Sequence, residues 1–415
     1  MAKKKDQTSL SRRALLAGAA GALGSTVLGN TEKASGQSPA AADPTKVLGD
    51  PPTSVGERSA HVHLQRTVSR SYPSASSGSP LQDLDGIITP SDLHFERHHG
   101  GVPTIDPANY ALLIHGMVDR PMMFSLDDLR RFPAESRTYF VECSGNGFRG
   151  FRASSFREDL TPQQIDGLTS TSEWTGVPVR TLFNEVGVRP DATWFLAEGM
   201  DAAVLTRSIP VEKALDDALI VYAQNGEPLR PENGFPARLL LPGWEGNACV
   251  KWIRRLELAD APFMSRQETS KYSDPLADCT ARIFSFEMDA KSIITFPAYP
   301  DTLHERGYWE ISGIAWTGRG KIARVEISTD GGSTWNDAEL QDPVLPKCHT
   351  RFRYLWQWNG SNALLMSRAH DETGYVQPTL EQLIDARGAG TSYHANNIRA
   401  WRVKSDGSVV FGLEP

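Results

Sequence analysis

Cysteine is scarce in this chain: four among 415 residues, Cys143, Cys249, Cys279 and Cys348. No two of them stand as C-x-x-C, which removes the paired-cysteine pattern of structural zinc. No C-x-x-C-H occurs either, so the chain carries no motif for attaching its own c-type haem. Long apolar runs are also missing. The stretch up to Gly29 is too short and too rich in glycine to span a bilayer, and nothing later approaches membrane length. Positive charge is in deficit, with 43 Lys and Arg against 50 Asp and Glu, a net charge of −7. Residues 1–30 hold Lys3, Lys4, Lys5, Arg12 and Arg13 against Asp6 alone, a surplus of four, so the remainder carries −11. That balance argues against nucleic acid and anionic membrane as partners and suits docking to a basic protein.

The length exceeds one ordinary core, so two domains are expected, and a composition 40% hydrophobic and 22% charged is that of a soluble globular protein. Residues 1–42 read as an address and its processing region. A basic start leads to Ser11-Arg12-Arg13-Ala14-Leu15-Leu16 and an apolar run, the twin-arginine export signature, with cleavage expected after Gly36 or Ala42. Export by that route implies a periplasmic protein that folds around a cofactor first. Residues 43–80 are rich in Pro, Ala and Ser and read as a linker, which places the first folded element near Leu81.

The chain is organised around Arg137 to Gly150. Tyr139, Phe140 and Val141 favour a buried strand, and Gly145, Asn146, Gly147 and Gly150 open it into a loop that carries Cys143. Upstream, His94, His98 and His99 crowd a proline-bounded segment. They admit a metal reading, although they do not share a helix face. His98-His99-Gly100-Gly101 is similar to a haem loop of b-type cytochromes, but no second haem pattern follows. Tyr110–Met117, Trp194–Ala197 and Ala203–Leu205 are expected as strands. Ser125 is expected to cap a short helix, with further helices from Val179 and over Ile209–Leu215. In Asn233-Gly234-Phe235-Pro236-Ala237-Arg238 a strand is expected to carry Arg238, and a second strand to bring Lys251. Two cations at loop–strand junctions can grip a phosphate with glycine amides between them. From about Phe286 short alternating strands (Tyr308–Trp316, Ile322–Ser328, Arg351–Trp358, Ala363–Ala369, Ile398–Lys404) indicate an antiparallel β-sandwich.

These pieces, in this order, resemble the sulfite oxidase family of molybdenum enzymes from about Ile88 to Val403. His94-Phe95-Glu96-Arg97-His98-His99 resembles the first molybdopterin loop of the family. Glu142-Cys143-Ser144-Gly145-Asn146 resembles its E/Q-C-A/S-G-N motif. Ser172–Val177, Asn233–Arg238, Cys249-Val250-Lys251 and Asn396-Asn397-Ile398-Arg399 follow at family-like distances. The resemblance implies an α+β fold, with a molybdopterin domain over residues 81–285 and an immunoglobulin-like dimerisation sandwich over 286–415. It implies a molybdenum–molybdopterin cofactor, with Cys143 as the metal ligand. Phe95, Arg97, His98, His99, Asp201, Asn233, Arg238, Cys249, Val250 and Lys251 fall on cofactor-binding positions. Tyr272, Arg97 and Arg399 fall on catalytic ones. The family usually has histidine where Asn233 stands.

One departure bears on substrate. Sulfite oxidases commonly follow C-x-G-N with two arginines, where this chain has Gly147-Phe148, and Arg149 is displaced by one residue. A pocket with one arginine fewer is expected to hold free sulfite less well. Together with the export signal and the missing haem motif, this points within the family to the molybdenum subunits of sulfane dehydrogenases. The partners implied are a sulfur-carrier protein as substrate, a c-type cytochrome subunit as electron acceptor, and a second copy of the chain in a hetero-oligomer. A free-sulfite dehydrogenase is the alternative on the same scaffold, and a non-catalytic exported binding protein is the alternative of another class.

Overall fold

The computed structural model describes residues 43, 46, 48–70, 72–276 and 278–412. The chain divides into a short unit ending at His61 and a large unit from Val62 to Pro415. The expected export signal lies outside the described residues. The described part of the short unit is exposed and forms no strand.

In the large unit, two five-stranded sheets make the first half. One orders Glu227–Pro228, Leu219–Gln224, Thr169–Pro178 and Glu135–Glu142, with Arg238–Leu240 also pairing Leu219–Gln224. The other orders Met122–Ser125, Ala111–Gly116, Ile253–Ala259, Trp194–Gly199 and Thr206–Pro210, and only Ala111–Gly116 runs parallel to its neighbour Ile253–Ala259. Short helices are closed by local chemistry. Ser125 caps Leu126–Arg131 in a reciprocal box with Asp128, and Thr161 caps Pro162–Asp166 in the same way with Gln164. Leu112, Ile114, Trp174, Phe183, Phe195, Ile220 and Leu256 lie in the shared core.

The second half is an antiparallel sandwich, as the alternation predicts. Lys291–Phe296, Gly307–Trp316, Thr350–Trp358 and Glu339–Gln341 form one sheet. Asn336–Asp337, Ile322–Ser328, Ala363–Asp371, Ala400–Val403 and Val409–Gly412 form the other. Trp316, Phe352 and Trp401 are fully buried between them. Phe140, Leu160 and Ile165 from the first half join this second core, so the strand that leads to Cys143 is packed from both sides. Cys249 and Cys348 are buried, Cys279 is exposed, and all four thiols are free.

Four local expectations fail for identifiable reasons. The strand expected over Ala203–Leu205 is a turn, because Asp201 accepts from Leu205 N and Val204 takes φ 46°; the strand starts at Thr206. The helix expected from Ile209 starts at Val211, since Pro210 ends that strand. Lys251 lies in a bend rather than a strand, because Trp252 has φ 53°. The chain also folds before Leu81. Thr67–Arg70 and Ser76–Gly78 pair with Glu96–Arg97 in a three-stranded sheet. Its burial is polar: Ser79 Oγ donates to Leu93 O and meets Ser170 Oγ at 2.6 Å, so a serine-rich composition concealed it.

Candidate active site

Cys143 follows directly on Glu135–Glu142, and the loop beneath it is held from three directions. Asn146 Nδ2 donates to Glu142 Oε1 and to Asp166 O, while Asn146 Oδ1 accepts from Leu168 N. Glu142, fully buried, accepts from Lys291 Nζ at 2.7 Å and from Trp316 Nε1 at 2.7 Å, both from the sandwich half. His394 N donates to Ser144 O at 2.8 Å. The position of the sulfur is thus set by both halves of the fold.

Two cavities meet at Cys143. A narrow inner one is lined by Phe95, Arg97, His98, His99, Cys143, Asp201, Asn233, Arg238, Cys249, Lys251 and Tyr272, among others. A wider outer one of about 640 Å³, open to solvent, runs over the Ser144–Arg149 loop. Arg97, His99, Cys143 and Tyr272 line both. Nearly all of the cofactor-binding residues expected from sequence converge on the inner cavity. Val250 does not: it is fully buried, its N–H donates to Ala248 O and its carbonyl accepts from Leu239 N. The three histidines do not converge as a metal cage, and among the described residues no three His, Cys, Asp or Glu side chains do so.

Arg399 is a second correction. Instead of facing a cavity it is 2% exposed beneath the loop. Nε donates to Asp166 Oδ2 at 3.0 Å, and the terminal nitrogens donate to Asn397 O, Ala395 O and Gly147 O. Its guanidinium occupies the place a side chain at 147 would need: a Cβ on Gly147, at φ 84°, would lie 2.4 Å from Arg399 Nη2. The departure at Gly147 and the buried Arg399 are therefore one packing solution. Nor is the outer cavity poor in cations. Arg149 lines it with Arg70, Arg97, Arg152 and Lys271, against the expectation that displacement turns Arg149 away.

The hydrogen bonds around Tyr272 fix a direction. Arg97 has only donors, so His99 Nδ1, 3.3 Å from Arg97 Nη2, must accept. Burial and the Arg97 charge hold His99 down at about 4, so its ring is neutral and its single hydrogen sits on Nε2. That hydrogen points at Tyr272 Oη, 3.0 Å away, leaving the tyrosine hydroxyl free to donate into the cavity. Arg207 stacks 4.9 Å over the Tyr272 ring and is itself held by Glu268 and Glu245.

The inner cavity fits a pterin. Four buried atoms lining it have no protein partner: His94 Nε2, His98 Nδ1, Asn247 Oδ1 and Arg238 Nε. His94 Nδ1 meets Phe95 O, and burial lowers its pKa to about 3, so its Nε2 is an acceptor. Acceptors facing a cavity beside two cations complement a ligand with several N–H groups and a phosphate, as molybdopterin has. Burial, then the Arg238 charge, pulls Lys251 from 10.5 to about 7, the condition of a cation waiting for an anion. Burial also raises the Cys143 thiol, so metal binding would have to displace its proton. Sequence assigns no role here to Asn247, Trp252 or Tyr393, and it names His94 only within the first motif and as one of three histidines admitting a metal. Asn247 and Trp252 lie in the glycine-bearing stretch that runs from Asn233 to Trp252, and the unsatisfied nitrogen of His94 is a property of packing.

Comparison with known proteins agrees with this geometry. Two family models match in order, an oxidoreductase molybdopterin binding domain over residues 99–267 and a Mo-co oxidoreductase dimerisation domain over residues 282–400. The crystal structure of the sulfane dehydrogenase SoxCD from Paracoccus pantotrophus contains a chain 44% identical to this one. It covers 84% of this chain and 90% of that chain, with a TM-score of 0.81. The chain belongs to the sulfite oxidase family of molybdopterin oxidoreductases. Mitochondrial sulfite oxidase of Mus musculus is 31% identical over 73% of this chain and 60% of its own length. NADH nitrate reductase 2 of Phaseolus vulgaris is 31% identical over 68% of this chain and 35% of its own. The chain thus spans about a third to three fifths of these curated relatives. Molybdopterin is the cofactor of the family, and in this member Arg238 and Lys251 would hold its anionic end while Cys143 would ligate the metal.

A prediction follows for Lys251. Its folded-state pKa, about 7, lies below the ordinary 10.5, so the unfolded chain binds more protons between those values. Through this group the cofactor-free protein gains stability as pH rises from about 7 to 10.5. Lys251→Met is expected to remove that rise. It should stabilise cofactor-free protein at neutral pH by on the order of 1 kcal/mol, and purified protein should contain much less pterin. Thermal unfolding across pH and fluorescence of the extracted, oxidised pterin check the two halves.

Proposed function

We propose that this chain is the molybdenum subunit of an exported sulfane dehydrogenase, oxidising sulfur held on a carrier-protein thiol. The observation that carries the reading is the position of Cys143, between an inner cavity whose unpaired polar atoms suit a pterin and a wide cationic one with no carboxylate in its lining. The outer space admits far more than a small oxyanion, and its cations suit an anionic sulfur group. The bound molybdenum cofactor supplies an oxygen-transfer centre that accepts two electrons. The residues supply the rest. Cys143 would hold the metal, Arg97 would steer the anionic sulfur, and the Tyr272 hydroxyl, oriented through His99, would donate to an oxygen on the reacting group. The electrons leave singly to a c-type cytochrome subunit, and the sandwich half pairs with a second copy. Similarity to the SoxCD sulfane dehydrogenase supports this reading.

The second reading is a free-sulfite dehydrogenase, favoured by Arg149 in the outer cavity. The test compares kcat/KM for a carrier-bound persulfide and for sulfite, with a c-type cytochrome as acceptor. We expect the persulfide to be the better substrate by about tenfold or more, since the carrier can make contacts along the outer cavity that free sulfite lacks, and about 1.4 kcal/mol of such contact is tenfold. Sulfite better by that margin overturns the sulfane reading.

Export is tested separately. Arg12→Lys with Arg13→Lys keeps the charge of the leader, so loss of periplasmic protein in fractionated cells would report the arginine pair itself. We expect the precursor to stay in the cytoplasm, and an unchanged periplasmic yield would exclude the twin-arginine route.

A further inference from the structure

The outer cavity sorts charge in a way the composition does not explain. Five cations line it, Arg70, Arg97, Arg149, Arg152 and Lys271, and no carboxylate does, although the chain has seven more acids than bases. Two of the five are committed to the fold. Arg97 Nη1 donates to His98 O and Ser74 Oγ. Arg152 stacks 4.5 Å over the Phe148 ring and donates to Ser392 Oγ and to the carbonyls of Gly390 and Thr391. The side chains of Arg70, Arg149 and Lys271 enter no hydrogen bond or ion pair among the described residues. Elsewhere on the surface many arginines are matched, as Arg353 is to Glu339, Arg368 to Glu326 and Arg157 to Asp159. Those unmatched among the described residues, such as Arg189, Arg266 and Arg306, do not line this cavity.

The three unmatched cations come from separate segments. Arg70 ends the Thr67–Arg70 strand, Arg149 lies in the loop after Cys143, and Lys271 precedes Tyr272. The Arg70 wall, with Thr67, Ser69, Ser74 and Ser76, lies before residue 99, where the match to the molybdopterin-domain model begins. Arg70 and Lys271 both act on His99, lowering its pKa, so their field reaches the floor of the cavity. Like charges converging on one concavity repel one another and focus positive potential there. Such an arrangement is relieved when an anion enters.

We propose that Arg70, Arg149 and Lys271 form an outer subsite that receives a carboxylate-rich polypeptide segment flanking the reacting sulfur. The proposal rests on the carrier-bound reading above and deepens it by naming the chemistry of the carrier. A polypeptide is favoured over a second small anion because the cations come from three separate segments around a space of about 640 Å³ that opens to solvent.

The test uses the holoenzyme and two fluorescein-labelled peptides that differ only in carrying four glutamates or four glutamines beside an S-methylated cysteine. Binding is read by fluorescence anisotropy and needs no turnover. At low ionic strength the glutamate peptide should bind about tenfold tighter or better, and the gap should close as salt shortens the screening length. Arg70→Gln with Lys271→Gln should cut the gap to about twofold, whereas Arg70→Lys with Lys271→Arg should keep most of it. Both residues are exposed, so these changes should cost the fold within about 0.5 kcal/mol. Equal binding of the two peptides, or a gap that survives neutralisation, overturns the subsite. If the gap behaves as expected but sulfite is the better substrate, the carrier reading fails and the subsite stands. If the persulfide is the better substrate but the peptides bind alike, the subsite alone fails.

Discussion

Cys143→Ser is expected to leave a folded protein that retains pterin and turns over no sulfur substrate. The substitution keeps the size of the side chain, and the bonds that hold the loop come from Asn146, Glu142 and Ser144 rather than from the sulfur. Loop geometry should therefore survive. What changes is the donor: a hydroxyl is harder and far less acidic than a thiol, and a poor match for a metal that cycles by two electrons. Loss of residues that merely support a metal ligand lowers affinity or activity by roughly 10–100-fold, so loss of the ligand should exceed that. Molybdenum content, extracted pterin and kcat are measured together. Near wild-type turnover with normal molybdenum would remove Cys143 from the ligand role.

Arg399→Ala is expected to have the largest effect on stability. Arg399, Asp166, Lys291 and Glu142 form a buried array in which Asp166 accepts from both Arg399 and Lys291. Removing one partner of a buried charge pair typically costs about 3–5 kcal/mol, because the other charge stays buried. The carbonyls of Gly147, Ala395 and Asn397 would each lose one donor, although Gly147 O keeps Gly150 N and Asn397 O keeps Gln377 Nε2. Denaturant unfolding should show that loss, and molybdenum content should fall, since the loop above carries Cys143. A separate outcome distinguishes the pocket role first expected for this arginine. If Arg399→Lys raises KM for substrate while stability and molybdenum content stay normal, Arg399 faces substrate and the loop-support role fails.

The inner cavity was legible in the chain because its residues sit in short motifs whose order is kept. Cys143 after a buried strand, Arg238 after Gly-Phe-Pro-Ala and Lys251 near Cys249 each combine a special residue with a backbone that must bend beside it. The outer cavity was not legible. Arg70 lies in a serine-rich stretch that composition assigns to a linker, and it becomes a wall only because Ser76 and Ser79 bury through side-chain hydrogen bonds. Arg399 misled for the opposite reason. A motif fixes where a residue lies along the chain, but not whether its guanidinium turns toward a cavity or toward Asp166.

By itself, the sequence determined the two-part α+β and sandwich architecture, the family, the cofactor class and the cysteine at its centre. Alternation, caps and glycine-bearing motifs are local and survive being read in one dimension. Tertiary structure alone decided which way His99 passes its hydrogen and why residue 147 must be glycine. It alone decided that three unmatched cations share one concavity. Each depends on atoms brought together from positions tens to hundreds of residues apart, as with Arg399 against Gly147 or Tyr272 against His99. Packing and charge act through space, and no spacing along the chain encodes those distances.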